Sequence, residues 1–168
     1  MGASKDWLPE LVERARGFSV NGGTEANTDV GPVVSRAAKE RILGLIETAV
    51  KEGATLSLDG RDVKVKGYEK GNFIGPTVFS GVTTDMTIYK QEIFGPVICV
   101  LEAATLEDAI ALVNRNPMGN GVCLFTQSGA AAHKFQSEID VGQGGDQHSH
   151  PCAGAVLQLY RLARFETG

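Results

Sequence analysis

The sequence predicts an α/β fold in which a parallel sheet is flanked by helices. From residue 72 onward, short apolar runs such as Val97–Leu101 and Val122–Phe125 alternate with stretches of helical periodicity. Such apolar runs are typical of strands that are covered by helices on both faces. Two strand-then-helix units in succession also predict parallel strands joined by right-handed crossovers. The composition, 42% apolar and 21% charged in 168 residues, is that of a globular domain or a piece of one.

Two helices are predicted before residue 54. The first is short, with apolar residues at helical spacing between Trp7 and Ala15. The second begins after Ser35, a good N-cap residue, and stops at Gly53. Its apolar stripe contains Ala38, Ile42, Leu45, Ile46, Ala49 and Val50.

A β-hairpin is predicted to follow. Leu56–Leu58 and Val63–Val65 alternate with period two around Asp59-Gly60, which is a common turn dipeptide. The segment from Phe73 to Val82 is then predicted to be extended, with an interruption at Gly75-Pro76.

Two further helices separate and follow the buried strands. Thr105 and Asp108 have the spacing of a capping box, and the helix they begin ends before Asn116-Pro117. The last predicted helix spans Gly129 to Ile139.

Composition excludes several classes of protein. Sixteen basic residues against 20 acidic ones leave no positive excess for nucleic acid. No apolar run approaches the ~18 residues of a membrane span, so no membrane partner is expected. The three cysteines include no CxxC pair, which favours a reducing compartment. The first residues show neither a signal peptide nor a transit peptide.

The most informative stretch is Glu92-Ile-Phe-Gly-Pro-Val97. The Glu92 carboxylate could accept hydrogen bonds from the vicinal hydroxyls of a ribose, while the Phe94 ring walls a flat group. Gly95-Pro96 would make the turn rigid. Taken on spacing alone, an exposed glutamate in a loop before a strand more often has no specific role.

Other polar or reactive residues receive ordinary structural interpretations. Cys99 and Cys123 lie in apolar strand runs, where a thiolate is poorly stabilised, so both are predicted to be inert. Gly119-Asn-Gly121 is predicted to be a turn into a strand, and His133 a solvated helix residue. One cluster has the composition of a metal site, namely Asp146, His148, His150 and Cys152.

Several segments resemble the aldehyde dehydrogenase superfamily. Glu92-Ile-Phe-Gly-Pro-Val97 matches its E-x-F-G-P motif, Gly71-Asn-Phe-Ile-Gly-Pro-Thr77 matches the strand before it, and Asn116-Pro-Met-Gly-Asn-Gly121 matches a glycine-containing turn. Trp7-Leu-Pro-Glu-Leu-Val12 and Asp140-Val-Gly-Gln143 are most similar to the CoA-acylating branch, the methylmalonate-semialdehyde dehydrogenases. The resemblance covers residues 5–143.

The resemblance implies a function and a role for two residues. Glu92 would bind the nicotinamide ribose hydroxyls of NAD, and Phe94 would pack beside the nicotinamide. Enzymes of this branch oxidise malonate and methylmalonate semialdehydes through a cysteine thiolate. The resulting thioester loses carbon dioxide, and the acetyl or propionyl group is transferred to CoA, in valine and pyrimidine breakdown in the mitochondrial matrix. The expected partners are therefore the semialdehyde and CoA, in a homo-oligomer expected to be a tetramer.

The resemblance also implies that the chain is an incomplete part of a longer enzyme. Residues 1–143 would form a partial catalytic domain. In the family, the nucleophilic cysteine stands just upstream of the segment that begins here at Trp7, and the nucleotide-binding domain lies earlier still. We therefore expect no catalytic residue and no turnover from this chain alone.

Residues 144–168 are predicted to be a non-homologous tail. The family pattern there runs roughly V-G-V-N-V-P-I-P-V-P-L-P and soon reaches S-F-T-G-S, whereas this chain has an unrelated sequence after Gln143. Codons compatible with these residues, read one nucleotide later, permit I-N-I-P-I-P-V-P-A-P and then C-S-S-F-T-G-S. We therefore interpret the tail as a frameshifted translation, which arises from a sequencing error, a mis-set exon boundary or a real mutation. It would make the cluster around His148 accidental and leave no metal site.

Two alternatives remain at this point. The chain could come from a different aldehyde dehydrogenase, one that hydrolyses its acyl intermediate instead of transferring it to CoA. It could also persist as a non-catalytic fragment that binds intact subunits.

Overall fold

The computed structural model describes residues 6–119, 121–146 and 157–160. They form two compact units, each with its own small sheet. The large unit is defined as residues 9–102, and the small unit as the residues from 103 onward together with those before residue 9. Among the described residues, no helix has the length and apolar character needed to cross a bilayer.

The large unit is built on its second helix. Helix α1 spans Leu8–Arg16, and helix α2 spans Arg36–Lys51. The Ser35 hydroxyl accepts a hydrogen bond from the Ala38 N–H at 3.1 Å, as a side-chain N-cap does. Gly53, with φ at +95°, follows the last turn of the helix in a left-handed conformation that glycine adopts without strain. Both predicted helices and their ends are confirmed.

The sheet of the large unit is mixed. Strand β1 (Thr55–Leu58) pairs antiparallel with β2 (Thr77–Ser80), and β2 pairs parallel with β3 (Val97–Cys99). A short helix, α3 (Thr87–Lys90), lies between β2 and β3 in the chain. The α/β class is confirmed, but the sheet has an antiparallel pair in addition to the predicted parallel one.

The predicted hairpin is wrong. Residues 63–65 form no strand, and β1 pairs with β2 instead. The Gly75 N–H donates to the Gly60 carbonyl at 2.8 Å, so the chain after Gly60 packs against the segment before β2. The observed pairing includes Val78 and Phe79, both fully buried, whereas an isolated two-stranded hairpin is only marginally stable.

The predicted strand over residues 97–101 is shorter and less buried than expected. It ends at Cys99 and lies at the edge of its sheet. Ile98, at its centre, is 46% exposed. Only part of the predicted extended segment from Phe73 to Val82 is a strand, although Phe73 and Ile74 are buried.

One apolar cluster holds α2 against this sheet. The helix and β2 supply its fully buried members Ile42, Ile46, Ala49 and Phe79, and Ile93 from the segment before β3 joins them. Burial of an aliphatic or aromatic side chain contributes roughly 1.5–3 kcal/mol. This cluster therefore fixes the distance between α2 and the residues that precede β3.

The small unit contains the second predicted strand and its helices. Helix α4 (Leu106–Asn114) begins with the predicted capping box between Thr105 and Asp108, and α5 spans Gly129–Glu138. Strand β4 (Gly121–Leu124) pairs parallel with β5 (Gln143–Asp146), as expected for a strand–helix–strand unit. The crossover predicted from β3 to β4 is wrong, because these two strands belong to different sheets.

The tail contributes backbone to the small unit. Strand β6 (Leu157–Tyr160) pairs antiparallel with β4, on the side opposite β5.

Candidate functional site

The loop between α3 and β3 carries both predicted site residues. We call Glu92–Pro96 the presenting loop. Ile93 is buried in the α2 cluster, whereas Glu92 on one side of it and Phe94 on the other are exposed. Phe94 is 76% exposed, which is unusual for a phenylalanine. The fold therefore holds a carboxylate and an aromatic ring in solvent on either side of a buried anchor.

The backbone of Phe94 is strained. Its φ is +51°, and the other described non-glycine residue with positive φ is Asn27, a type that tolerates this conformation. A non-glycine residue in the left-handed region costs of the order of 1–3 kcal/mol. Such a conformation persists only where the surrounding structure determines it.

Arg41 of α2 donates two hydrogen bonds to the backbone of the loop. Its Nη1 donates to the Glu92 carbonyl at 3.0 Å, and its Nη2 donates to the Ile93 carbonyl at 2.5 Å. Hydrogen bonds from a charged donor are shorter and stronger than neutral ones. One guanidinium therefore holds two consecutive carbonyls immediately before Phe94.

Gly95 and Pro96 hold the loop from the other side. A Cβ at Gly95 would lie 2.7 Å from Ile42 Cδ1, so this position accepts no side chain without displacing the core. The Pro96 carbonyl accepts a hydrogen bond from the Thr77 N–H at 2.9 Å, at the start of β2. The Gly-Pro pair thus fixes the exit of the loop, as the sequence predicted.

The short helix that leads into the loop is also tied to α2. The Glu52 carboxylate accepts hydrogen bonds from the Thr87 N–H at 2.7 Å and the Thr87 hydroxyl at 2.6 Å. These hydrogen bonds from Thr87 lower the pKa of Glu52. The first residue of α3 is therefore anchored to the residue that follows α2.

The structure brings the two predicted site residues together, but sequence reasoning missed the residue that holds them. Arg41 lies 51 positions before Glu92, and no local pattern connects the two. The left-handed backbone of Phe94 also had no sequence signal, since phenylalanine rarely adopts it.

The cysteine in β3 has the properties of a structural residue. Burial raises the pKa of the Cys99 thiol to about 11, so it is protonated near neutral pH. This agrees with the prediction that it is inert. Cys123, in β4, is half-buried and is a free thiol.

The remaining candidates contribute no site among the described residues. His133 is exposed on α5, as predicted, and the part of the chain that the structure describes contains no cluster of possible metal ligands. Gly121 begins β4, and the predicted turn before it stays a prediction because its central residue lies outside the described residues. Asn120, His148, His150 and Cys152 lie outside the described residues.

Comparison with known proteins gives a consistent result. Residues 2–147 match the aldehyde dehydrogenase family. The chain is 55% identical over 145 residues to the rat protein named methylmalonate-semialdehyde/malonate-semialdehyde dehydrogenase [acylating], mitochondrial. The aligned region covers 86% of this chain and 27% of the rat protein. The chain thus spans about a quarter of the length of that relative.

Solved structures of two related proteins share the fold of this chain. A Sinorhizobium meliloti protein, described as a methylmalonate-semialdehyde dehydrogenase and crystallised with NAD, superposes with a TM-score of 0.84 at 41% identity, over 87% of this chain and 30% of that one. The methylmalonate-semialdehyde dehydrogenase of Oceanimonas doudoroffii gives 0.83 at 35% identity, over 96% and 35%. The chain belongs to the aldehyde dehydrogenase family.

Proposed function

We propose that this chain supplies the cofactor-presenting part of an NAD-dependent, CoA-acylating dehydrogenase of malonate and methylmalonate semialdehydes. The observation that carries the proposal is the presenting loop, in which Glu92 and Phe94 are exposed while the backbone of Phe94 is held in a strained conformation. The 55% identity to a relative named as acylating supports the choice of substrate and of CoA as acyl acceptor.

The two exposed side chains fit a nicotinamide nucleotide. The carboxylate of Glu92 accepts hydrogen bonds from the vicinal hydroxyls of the nicotinamide ribose, and carboxylates accept such pairs well. The Phe94 ring covers a flat heterocycle and excludes water from it. When bound, NAD accepts the hydride that leaves the semialdehyde carbon.

The nucleophile is proposed to come from outside the β3 region. Cys99 is the cysteine nearest to the loop in sequence, and its raised pKa leaves little thiolate to attack a carbonyl. From the family resemblance, which places the nucleophile outside this chain, we propose that the chain by itself does not turn over and that it works as part of a mitochondrial matrix enzyme. We also propose that this enzyme is a homo-oligomer, and the family resemblance implies a tetramer.

The test is a chimera in which residues 5–143 replace the matching stretch of the rat relative. We expect it to form NADH from methylmalonate semialdehyde in the presence of CoA. Replacing Glu92 by Gln removes the charge that receives the ribose hydroxyls, and charge-assisted hydrogen bonds are worth about 1.5–3 kcal/mol. The KM for NAD should therefore rise roughly 10- to 100-fold.

Glu40→Gln is the matched control, because Glu40 is an exposed acid on α2 that pairs with Arg36. An unchanged KM for NAD in Glu92→Gln, or an effect equal to that of the control, would refute the proposal. The unmodified 168-residue chain, assayed under the same conditions, should form no NADH; robust turnover would overturn the proposal that it needs further residues.

We further propose that residues 144–168 are translated out of frame. The support is that two stretches recover the family pattern in one shifted frame. Sequencing of the transcript across the codons for Gln143 to Gly145 tests this. An inserted or deleted nucleotide is expected, and a clean read in the present frame would disprove it.

A further inference from the structure

The contact between α2 and the presenting loop suggests a role for a residue that no motif indicated. We propose that Arg41 is a positioning residue for cofactor binding, which sets the direction of Glu92 and Phe94 without touching the cofactor itself. The inference rests on the proposed function, because it takes the presenting loop to be the NAD-binding element.

The two hydrogen bonds of Arg41 fall where they control the loop. The Ile93 carbonyl belongs to the peptide plane that joins Ile93 to Phe94, and the orientation of that plane sets φ of Phe94. Nη2 holds this carbonyl, while Nη1 holds the carbonyl of the preceding plane at 3.0 Å. Arg41 thus fixes the two consecutive peptide planes from which Glu92 and Phe94 project.

A strained conformation needs such a constraint. An L-residue loses about 1–2 kcal/mol in the left-handed region, so Phe94 released from its neighbours would return to negative φ. That rotation would move the ring and the Glu92 carboxylate relative to each other. Held by Arg41, the loop does not have to be ordered when a ligand arrives, which lowers the entropy lost on binding.

The same helix turn secures the loop after Phe94. Ile42, fully buried and adjacent to Arg41, occupies the space beside Gly95. Two neighbouring residues of α2 therefore contact the loop on either side of Phe94. The helix acts as a rigid platform for the backbone, and its contribution to cofactor binding passes through main-chain carbonyls.

The geometry favours a guanidinium over an ammonium group. A planar fork presents several N–H groups at fixed spacing and can reach two carbonyls at once, whereas a lysine ammonium is a compact point charge on a flexible stem. Arg41→Lys should accordingly keep part of the affinity for NAD that the positioned loop provides, and Arg41→Ala should lose that part. Arg36 offers a control on the same helix, because its guanidinium pairs with the Glu40 side chain at 3.0 Å.

The experiment measures NAD and semialdehyde kinetics of Arg41→Ala, Arg41→Lys and Arg36→Ala in the chimera described above. Arg41→Ala should raise the KM for NAD about tenfold, with kcat at saturating NAD and the KM for semialdehyde changed less than twofold. Arg41→Lys should raise the KM for NAD about threefold. Arg36→Ala should leave it unchanged. Equal KM values for NAD in Arg41→Ala and Arg36→Ala would overturn the inference.

A second measurement keeps the inference testable if a variant of the chimera folds poorly. In the 168-residue chain, the Val97 and Thr77 amides donate to the Gly95 and Pro96 carbonyls of the loop, and their hydrogen exchange should accelerate at least tenfold in Arg41→Ala and remain unchanged in Arg36→Ala. Unchanged exchange in Arg41→Ala would also overturn it.

The two proposals can fail separately. If Glu92→Gln leaves the KM for NAD unchanged, the loop does not bind the cofactor and the proposed function fails. If Glu92→Gln weakens NAD binding and Arg41→Ala does not, the proposed function stands and Arg41 has no positioning role.

Discussion

The presenting loop and strand β3, which follows it directly, differ in the way they hold a chemically useful side chain. The loop exposes Phe94 at a positive φ and is fixed by Arg41 and Gly95. The strand has regular parallel pairing and contains the half-buried Cys99, whose thiol has a pKa raised to about 11 by burial. The loop therefore exposes an aromatic side chain on a strained backbone, whereas burial of the nearby thiol raises its pKa.

The largest expected difference between the two regions is in the reactivity of Cys99. Burial raises its pKa from 9.0 to about 11, so near pH 8 the thiolate fraction should be about 100-fold lower than in an unperturbed thiol. Alkylation by iodoacetamide, followed by mass spectrometry of the peptide that contains Cys99, measures this against a cysteine-containing reference peptide.

The pH dependence of this reaction has a definite sign. The alkylation rate of Cys99 should keep rising tenfold per pH unit above pH 9, where the reference levels off. Because the folded-state pKa is raised, the group stabilises the fold below about pH 9, and this contribution is lost as the pH rises towards 11. Rapid alkylation at pH 7 would show that the Cys99 thiol has a lowered pKa, and it would contradict the conclusion that β3 buries this thiol in a protonated state.

Gly95→Ala tests the close approach that fixes the exit of the loop. The new methyl group would meet Ile42 Cδ1 at 2.7 Å, and overpacking of this kind costs about 1–3 kcal/mol. Urea unfolding should show a loss of that size in the free energy of unfolding. Gly44→Ala is the control, because Gly44 lies in α2 with open space around it and should stabilise the helix slightly.

Ser35→Ala tests whether the platform under the loop depends on the cap of α2. The Ser35 hydroxyl accepts the Ala38 N–H, and loss of such a cap costs about 1 kcal/mol. The free energy of unfolding of the large unit should fall by that amount. Ser128→Ala, which removes the corresponding cap of α5, should destabilise the small unit instead. Hydrogen exchange reports the stability of the two units separately. Faster exchange in the small unit of Ser35→Ala, or in the large unit of Ser128→Ala, would contradict the prediction.

The features predicted from sequence are those set by neighbouring residues. The Ser35 cap and the Thr105–Asp108 capping box depend on contacts three residues apart, so local spacing was enough to identify them. The Glu92–Pro96 motif was likewise visible as a continuous stretch.

The features that were missed depend on residues far apart in the chain. Strand β1 pairs with β2, about 20 residues further along the chain, and this pairing includes the fully buried Val78 and Phe79, whereas local alternation favoured a nearer partner. The separation of β3 and β4 into two sheets depends on their neighbours in space. The hydrogen bonds of Arg41 to the presenting loop join residues 51 and 52 positions apart, on different elements.

The smallest expected stability change is at the strained residue itself. Phe94→Gly removes about 1–2 kcal/mol of left-handed strain, while the added freedom of glycine in the unfolded chain offsets about 0.5–1 kcal/mol. The free energy of unfolding of the 168-residue chain should therefore rise by about 0.5–1 kcal/mol in urea. A loss of stability would mean that the exposed ring contributes to the fold.

The KM for NAD of the chimera that carries Phe94→Gly tests the central claim most directly. If the fold holds Phe94 in strain so that its ring can pack against the nicotinamide, the variant should be more stable and yet bind NAD about tenfold more weakly. An unchanged KM for NAD in the stabilised variant would contradict the claim that this loop presents its side chains to the cofactor.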